Sequence, residues 1–561
     1  MEDTKVKSKK KSTLMADVAG ILCGVLLLAV GVGTGISSHA AKTAGVRNSQ
    51  IPASASTMVG TAEGRNGDIT VQVKADAEKI YQIKILSEKE TSGIGSHAVR
   101  NIPKAICNAN SLQVDSVSGA TITSDAIKNA VSNALTEGGL DAYKFGVIRT
   151  DSIAKPVEVG QKVSAMSAAE WQEQYADWKA SHAYLFASYW EDEYPEIYAS
   201  YMANADNAEH PSYLDSFPQL KSIYAGYPFS YDYDEARGHS YVIEDVTETD
   251  RLHKKLEDGS LNPEIFQKGN CFTCKSPIMT AIVNETDGAA YAWDFATMMN
   301  MVTEPVSCYT CHGEMPGEFT VTHTYLADGV GEHLNHIDGA TLSCGQCHNE
   351  YFFYPETKST TLPHNSIDTM HPDAILDYYN NLMGEDGLPF TDFTNKISGV
   401  RVIKVQHPEL ETYLSEGSVH RGMFTCADCH MGDMTTADGT VTKNHFISSP
   451  LDNPTLIEST CARCHDNLEA TVRGVQEKTL ARTRELADKL VELHNAIAAA
   501  AESGKYTEDE LAEIRSIARD AQFYWDFVFV ENSEGAHNSA LTAYCQDKAD
   551  TLMNQAFDLM K

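Results

Sequence analysis

The cysteines constrain this chain most strongly, because ten of its 13 fall into five Cys-x-x-Cys pairs between residues 271 and 464. Pairs of this kind can build a tetrahedral zinc site, and cysteines in an exported protein can form disulfides. Zinc, however, does not require a particular residue directly after the second cysteine. Here a histidine follows four of the pairs and a lysine follows the fifth, giving Cys271, Cys274, Lys275; Cys308, Cys311, His312; Cys344, Cys347, His348; Cys426, Cys429, His430; and Cys461, Cys464, His465.

The sequence Cys-x-x-Cys-His is the signature of covalent c-type haem attachment. The two thiols add to the two vinyl groups of the haem, and the adjacent histidine reaches the iron from one side. Four such motifs in one chain favour haem over zinc. Together with the lysine motif they predict five covalently attached haems.

Lys275 distinguishes the first motif from the other four. An amine binds a metal only after it has lost its proton, so this haem has a proximal ligand of a different kind. The alternative is a degenerate motif that holds no haem. Electron-transfer haems have two strong axial ligands, whereas a catalytic haem keeps one position open. The chain has 20 histidines, so the supply of distal ligands does not decide between these possibilities.

These motifs resemble the ammonia-forming, pentahaem cytochrome c nitrite reductases, over roughly residues 220–561. The most specific element is one Cys-x-x-Cys-Lys motif followed by four Cys-x-x-Cys-His motifs. Other segments agree in order, namely 236–241, 249–251, 344–351 and 404–409. The resemblance implies a mainly α multihaem cytochrome c fold and the six-electron reduction of nitrite to ammonia.

The resemblance also implies roles for individual residues. Lys275 would be the proximal ligand of the active-site haem, and Arg251, Tyr351 and His407 would line its open side. The distal ligands of the other haems would be His239, His420, His445 and His537. A calcium ion beside the active site would be bound by the side chains of Glu350 and Gln406 and by the carbonyls of Tyr351 and Lys404. Carboxylate, amide and carbonyl oxygens are the ligands that calcium prefers.

The chemistry of these residue types agrees with the implied roles. Arg251 can give a small anion charge-assisted hydrogen bonds, and His407 can deliver protons near neutral pH. Tyr351 can donate or shuttle hydrogen. Nitrogen changes from +3 in nitrite to −3 in ammonia, so the reaction needs the six electrons that a row of haems can supply. Taken without the resemblance, Arg251 is an ordinary surface arginine and His407 a distal haem ligand.

Residues 42–147 form a separate segment that this family usually lacks. Alternating apolar residues over 69–73 and 81–85 predict strands, and residues 125–135 predict a helix that ends at Gly138-Gly139. The segment Asp115-Ser-Val-Ser-Gly-Ala-Thr121 resembles the flavinylation motif of exported FMN-binding domains. That resemblance implies covalent FMN on Thr121, beside a helix N-terminus that favours phosphate. The alternative is an ordinary Ser/Gly turn that caps the helix.

The N-terminus predicts export. Five lysines precede a stretch without charge from Val18 to Ser38, which is about the 20 residues that a membrane-spanning helix needs. Lysines before the span keep that end in the cytoplasm, so the rest of the chain lies outside. A cleaved signal peptide ending near Ala40 is the alternative. We therefore expect a basic tail and single transmembrane anchor at 1–41, an α+β FMN-binding domain at 42–147 and a pentahaem domain at 148–561 in the cell membrane.

Charge and the C-terminal pattern complete the prediction. A net charge of −34 argues against nucleic acid as a partner. Leu486, Leu490, Leu493 and Ile497 predict one long helix, and Thr507 to Glu510 is a capping box that begins the next. These helices predict bundle packing and could form a homodimer interface. The electron donor would be membrane-bound, either quinol-linked or another redox complex. Two other functions stay open, namely an electron conduit without substrate chemistry and a reductase of hydroxylamine or sulfite.

Overall fold

A computed structural model describes residues 43–45, 51–52, 54–90, 95–112, 114, 120–140, 142–145, 167–249, 267–330, 334, 337–384 and 386–561. The chain divides into two compact units, 1–145 and 146–561. This division lies close to the predicted boundary between residues 147 and 148.

The N-terminal unit contains a four-stranded antiparallel sheet. Its strands are β1 (Thr43–Gly45), β2 (Ser56–Gly64), β3 (Gly67–Ala75) and β4 (Ile80–Ser87), in the order β1-β4-β3-β2. Every second residue of β3 from Ile69 to Ala75 is buried, which is the alternation expected of a strand with one face on a core. The two strands predicted at 69–73 and 81–85 are thus confirmed within β3 and β4.

Two helices pack against this sheet, α1 (Gly95–Ala109) and α2 (Thr121–Glu137). The buried face of α2 includes Ile127, Ala130, Val131, Ala134 and Leu135, so the helix predicted at 125–135 is confirmed. Strand β2 approaches α2 closely at Gly60, where a Cβ would lie 2.1 Å from the carbonyl oxygen of Ala130. A residue with a side chain would therefore push the helix away from the sheet.

The second unit is mainly helical, with short strands between the helices. Its helices are α3 (Ala168–Ser181), α4 (Pro195–Met202), α5 (Tyr213–Ser216), α6 (Leu220–Ile223), α7 (Glu244–Thr247), α8 (Pro277–Glu285), α9 (Phe295–Met299), α10 (Cys308–His312), α11 (Thr324–Val330), α12 (Gly339–Gly345), α13 (Pro372–Asn381), α14 (Glu409–Leu414), α15 (Cys426–His430), α16 (Pro454–Ser459), α17 (Leu468–Ser503), α18 (Glu508–Phe529) and α19 (Ser539–Leu559). In the described part of this unit, three two-stranded sheets pair β5 (Phe352–Phe353) with β6 (Thr360–Thr361), β7 (Phe393–Thr394) with β8 (Arg401–Val402), and β9 (Asp433–Thr435) with β10 (Val441–Lys443).

The last three helices form the largest apolar core of this unit. Leu486, Leu490, Leu493 and Ile497 are all fully buried on α17, which confirms the predicted long helix. It ends at Gly504, whose φ of 65° is in the left-handed region that glycine tolerates. The predicted capping box at Thr507 and Glu510 begins α18.

Within the described ranges no helix is long and apolar enough to cross a membrane. The anchor predicted between Val18 and Ser38 lies outside those ranges.

Candidate active site and haem-binding residues

The four Cys-x-x-Cys-His motifs lie on or beside short helical turns. The motifs at 308–312 and 426–430 are the whole of α10 and α15. The backbone N–H of Ser307 donates to the Thr310 hydroxyl at the start of α10, and the Thr425 hydroxyl accepts from the backbone N–H of Asp428 at the start of α15. Cys344 lies near the end of α12, and Cys461 begins a 3₁₀ turn. Residues three apart on a helical turn share one face, so the two thiols of a motif are presented together.

The motif cysteines are less buried than cysteines usually are. All ten keep accessible area, whereas Cys545 in the helical core is completely buried. The histidines after the motifs and the four predicted distal histidines are likewise half-buried. The thiols and imidazoles of these motifs are thus accessible, as attachment to a large planar group requires.

The structure places each of the four proximal histidines opposite a predicted distal histidine. The ring centres are 6.3 Å apart for His312 and His445, 6.3 Å for His348 and His239, 6.2 Å for His430 and His537, and 6.0 Å for His465 and His420. Two imidazoles bound on opposite sides of one metal ion, with metal–nitrogen bonds of about 2.0 Å, have ring centres about 6 Å apart. The spacing therefore fits four irons that each have two histidine ligands.

Hydrogen bonds orient several of these rings. The Nδ1 atoms of His312, His430 and His445 lie 2.9–3.0 Å from the carbonyl oxygens of Glu318, Ser448 and Lys443. A carbonyl oxygen only accepts, so each Nδ1 carries the proton and donates it. In a neutral ring the Nε2 lone pair is then free to bind a metal.

His537 is oriented by a carboxylate instead. Its Nδ1 lies 2.6 Å from Oε1 of Glu531, which is itself buried. Burial alone would lower the pKa of His537, but the charge of Glu531 and the hydrogen bond to it outweigh burial and raise this pKa. A carboxylate in this position fixes the ring and makes its other nitrogen a stronger ligand.

Contacts between thiols show which motifs are neighbours. The Cys274 thiol contacts Cys347, and the Cys344 thiol contacts Cys426. The motif at 344–348 therefore lies between the lysine motif and the motif at 426–430. Groups attached to these three motifs would be close enough to exchange electrons.

Lys275 lies among several of the predicted site residues. Burial lowers the pKa of His239, His348 and His407, and the charge of a protonated Lys275 lowers each of these pKa values further. Tyr351 and Cys274 pack on the same apolar cluster, and burial raises the pKa of the Tyr351 hydroxyl, which keeps it protonated. Arg251 lies outside the described residues.

His407 has two possible partners in this arrangement. Its ring centre is 6.2 Å from that of His348. The ring centre of His239 lies at almost the same distance, 6.3 Å, from that of His348. Ring distance alone therefore does not separate a distal ligand from a residue of the open side. The surroundings of His407 are more distinctive. Its Nδ1 is buried without a hydrogen-bond partner and lies 4.0 Å from Oε1 of Glu409.

The predicted calcium ligands are also close together. The fully buried carboxylate of Glu350 accepts a 2.6 Å hydrogen bond from the backbone N–H of Gln406, and the Gln406 side-chain amide lies 3.0 Å from the Lys404 carbonyl oxygen. Rotating that amide would turn its oxygen towards the same space. Burial raises the pKa of Glu350 well above its ordinary range, a cost that a bound cation would offset. No contact that would place the Tyr351 carbonyl in this group is seen, and within the described ranges no group of three His, Cys, Asp or Glu side chains is arranged as a metal site.

The flavin attachment can be placed only in part. Residues 115–119 of the motif lie outside the described ranges, as does the side chain of Thr121. Ala120 is the N-cap residue of α2 and makes no side-chain capping hydrogen bond. Near it, the Thr123 hydroxyl donates a 2.5 Å hydrogen bond to Glu90.

Comparison with known proteins identifies this second unit. The profile of the cytochrome c552 family matches residues 168–557. The chain belongs to this family. The cytochrome c nitrite reductase subunit NrfA of Nitratidesulfovibrio vulgaris (strain Hildenborough) is 30% identical to this chain over 414 residues. The match covers 65% of this chain and 76% of that protein. The chain is thus an enzyme of the cytochrome c nitrite reductase type.

A solved structure gives the same result for the fold. The cytochrome c nitrite reductase of Desulfovibrio desulfuricans, whose catalytic subunit has two calcium sites, is 28% identical, with a TM-score of 0.58. The match covers 67% of this chain and 86% of that one. The FMN-binding domain family matches residues 64–136, so this cytochrome c552 carries a flavin-binding unit before its multihaem unit.

The structure adds two groups of buried residues that reasoning from the sequence did not find. Nε2 of His364 lies 2.7 Å from Oε1 of Glu411, both fully buried, and Oε2 of Glu411 accepts the backbone N–H of Glu350. The second group surrounds His323 and Gln346. Neither histidine belongs to a spacing pattern, and only the folded chain brings them to their partners.

Proposed function

We propose that this cytochrome c552 reduces nitrite to ammonia with six electrons at the haem bound by Cys271, Cys274 and Lys275. Four further haems, each with two histidine ligands, deliver the electrons. The observation that carries this proposal is the contrast between the motifs, because four histidines lie about 6 Å from a facing imidazole whereas the fifth motif ends in a lysine. A chain that only conducted electrons would not need one different ligand.

Each residue of the open side has a distinct task. A haem held by Cys271, Cys274 and Lys275 would supply an iron that can bind nitrite and pass electrons to it. Arg251 binds the nitrite oxygens by charge-assisted hydrogen bonds. His407 delivers protons to the departing oxygen atoms, and the protonated Tyr351 hydroxyl donates a hydrogen bond to bound nitrogen species. The His407 side chain is 40% exposed, so it can take up protons from solvent.

Calcium has a supporting task. Glu350 and Gln406, with the carbonyls of Tyr351 and Lys404, hold the ion beside the active site. Glu350 directly precedes Tyr351, and Gln406 directly precedes His407. An ion held by these residues would fix the backbone next to Tyr351 and His407 and so position both side chains.

The N-terminal unit provides the route for electrons. We propose that residues 1–41 anchor the chain in the cell membrane, that residues 42–147 carry FMN covalently on Thr121, and that residues 148–561 lie on the extracytoplasmic side. Electrons would pass from a quinol-linked or other membrane donor to FMN and then to the haems. Two copies would pair through the C-terminal helices.

The central experiment is a turnover assay with isotopically labelled nitrite. Reduced protein should convert labelled nitrite to labelled ammonium without releasing nitric oxide. An unchanged nitrite concentration would contradict nitrite reduction and favour the alternative function, an electron conduit without substrate chemistry. Faster consumption of hydroxylamine or sulfite than of nitrite would transfer the proposal to one of those substrates.

A second experiment tests the flavin. The intact mass should exceed the polypeptide by five haems and one FMN, and Thr121→Ala should lose the FMN alone. Thr136→Ala, at the exposed far end of α2, is the matched control and should keep it. A Thr121→Ala protein that takes electrons from its membrane donor at the normal rate would remove flavin from the route.

A further inference from the structure

The backbone just before His407 is held by three carboxylates. The N–H groups of residues 404, 405 and 406 donate in turn to Asp392, Asp526 and Glu350, over 2.8, 3.0 and 2.6 Å. These carboxylates lie before β7, on α18 and before β5, so three separate parts of the fold meet at this segment. Buried backbone N–H groups need partners, and here each of three successive groups finds a side chain instead of a neighbouring strand.

Asp526 makes the most extensive contact with the segment. Its Oδ2 atom accepts the N–H of Val405 and lies 3.4 Å from Nζ of Lys404. The same Nζ donates to the carbonyl oxygen of Val405 over 2.6 Å. Both backbone polar groups of Val405 are therefore tied to one carboxylate, the N–H directly and the carbonyl through Lys404.

The surroundings of this contact exclude water. Lys404, Val405 and Asp526 are all buried, and three aromatic rings, among them that of Tyr224, lie 5.2–5.8 Å from Nζ of Lys404. The Tyr224 hydroxyl donates to Oδ1 of Asp526, so the second carboxylate oxygen is held as well. In such dry surroundings a hydrogen bond is stronger than in water, and losing one partner leaves the other at a cost.

We propose that Asp526 is a positioning residue of the active site, which holds residues 404–406 and thereby fixes the ring of His407. This inference rests on the proposed function, which gives His407 its part in proton delivery. His407 directly follows the segment, so any displacement of these peptide units moves its ring. A proton donor acts only within hydrogen-bond reach, and a displacement of about 1 Å can lower a rate about 100-fold.

The test compares three variants of the haem-loaded, full-length protein, each shown by mass to have the haem content of the wild type. Asp526→Ala removes every contact of the carboxylate. Asp526→Asn keeps the shape but has one acceptor oxygen where the carboxylate has two, and it decides the test if Asp526→Ala does not load its haems. Asp520→Ala is the matched control, because Asp520 lies on the same helix but binds the side chain of Asn380.

Hydrogen–deuterium exchange followed by mass spectrometry is the first readout, and it does not depend on activity. The peptide that contains Val405 should exchange about tenfold faster in Asp526→Ala than in the wild type, because its N–H loses a buried partner. The increase should be smaller in Asp526→Asn and absent in Asp520→Ala. Wild-type exchange of this peptide in the Asp526 variants would overturn the inference.

Steady-state kinetics with nitrite separates positioning from support of the fold alone. In Asp526→Ala, kcat should fall about tenfold while KM stays near the wild-type value, because Arg251, which binds the anion in the proposed function, is unchanged. Asp526→Asn should lose less, and Asp520→Ala should keep its kcat. Faster exchange with an unchanged kcat would restrict Asp526 to the fold and overturn the inference. Failure of the proposed function would be visible separately, as wild-type protein that leaves nitrite unreduced.

Discussion

The lysine motif and the histidine motifs have different surroundings. Each histidine motif presents one imidazole to another about 6 Å away, and backbone carbonyls or a carboxylate orient several of these rings. Around Lys275 the structure instead gathers Tyr351, His407 and the buried Glu350, together with the hydrogen-bonded network of His323. The difference teaches that the one motif ending in a lysine lies beside groups that can move protons, whereas each motif ending in a histidine lies opposite a second imidazole.

The largest effect is expected from His407→Asn. The substitution removes proton delivery while keeping a polar side chain of similar shape, so turnover of nitrite should fall about 100-fold or more. The mass spectrum should still show five haems. His494→Asn is the control for loss of a buried histidine and should keep its turnover. Normal activity of the His407→Asn enzyme would contradict the role of His407 in proton delivery.

Removal of calcium should have the next largest effect. In the proposed site the ion would hold the backbone before Tyr351 and His407, so treatment with a calcium chelator should lower turnover about tenfold, and added Ca²⁺ should restore it. Glu350→Gln should have low activity that neither treatment changes. Calcium analysis by mass spectrometry, done alongside the assay, distinguishes loss of the ion from inhibition by the chelator. Full activity in calcium-free protein would show that calcium at Glu350 is not needed to position Tyr351 and His407.

Lys275→His makes the first motif identical in type to the other four. The proximal ligand is one of the main ways in which a protein tunes a haem. We expect all five haems to remain and turnover to fall several-fold, with a changed spectrum for a single haem. Absorption and electron paramagnetic resonance spectra of the variant check this. A variant spectrum indistinguishable from that of the wild type would show that Lys275 is not a ligand.

The smallest effect on turnover is expected from His494, which lies in the helical core. Burial lowers its pKa from the ordinary 6.5 to about 4. Between these values the unfolded chain binds a proton that the native chain does not, so this residue makes stability fall as pH drops from 6.5 towards 4, by on the order of 3 kcal/mol. In His494→Gln the loss of thermal stability over this range should be smaller. An identical pH dependence in both proteins would contradict this origin.

Local signals in the sequence predicted much of the fold. The alternation in β3, the apolar face of α2, the leucines of α17 and the capping box of α18 each depend on neighbouring residues, so each could be read without the structure. The haem motifs were visible for the same reason. The pairing of each proximal histidine with a particular distal one depends on residues far apart in the chain, such as His239 and His348, and needed the folded structure.

Other parts of the site gave no sequence signal. His364 and Glu411 are 47 residues apart and belong to no motif, yet they form a buried pair that holds the backbone of Glu350. His323 precedes α11, and nothing in the surrounding sequence indicates that its ring lies beside Thr273 and Gln346 of two haem motifs. Such contacts arise from tertiary packing, which local patterns do not encode.

The most direct test of the account is a titration of the oxidised, fully loaded protein with nitrite, followed by electron paramagnetic resonance. The account predicts that one haem of the five changes its signal on nitrite binding and that this haem is lost in a variant without Cys271 and Cys274. Five haems that all keep two protein ligands and do not respond to nitrite would contradict it.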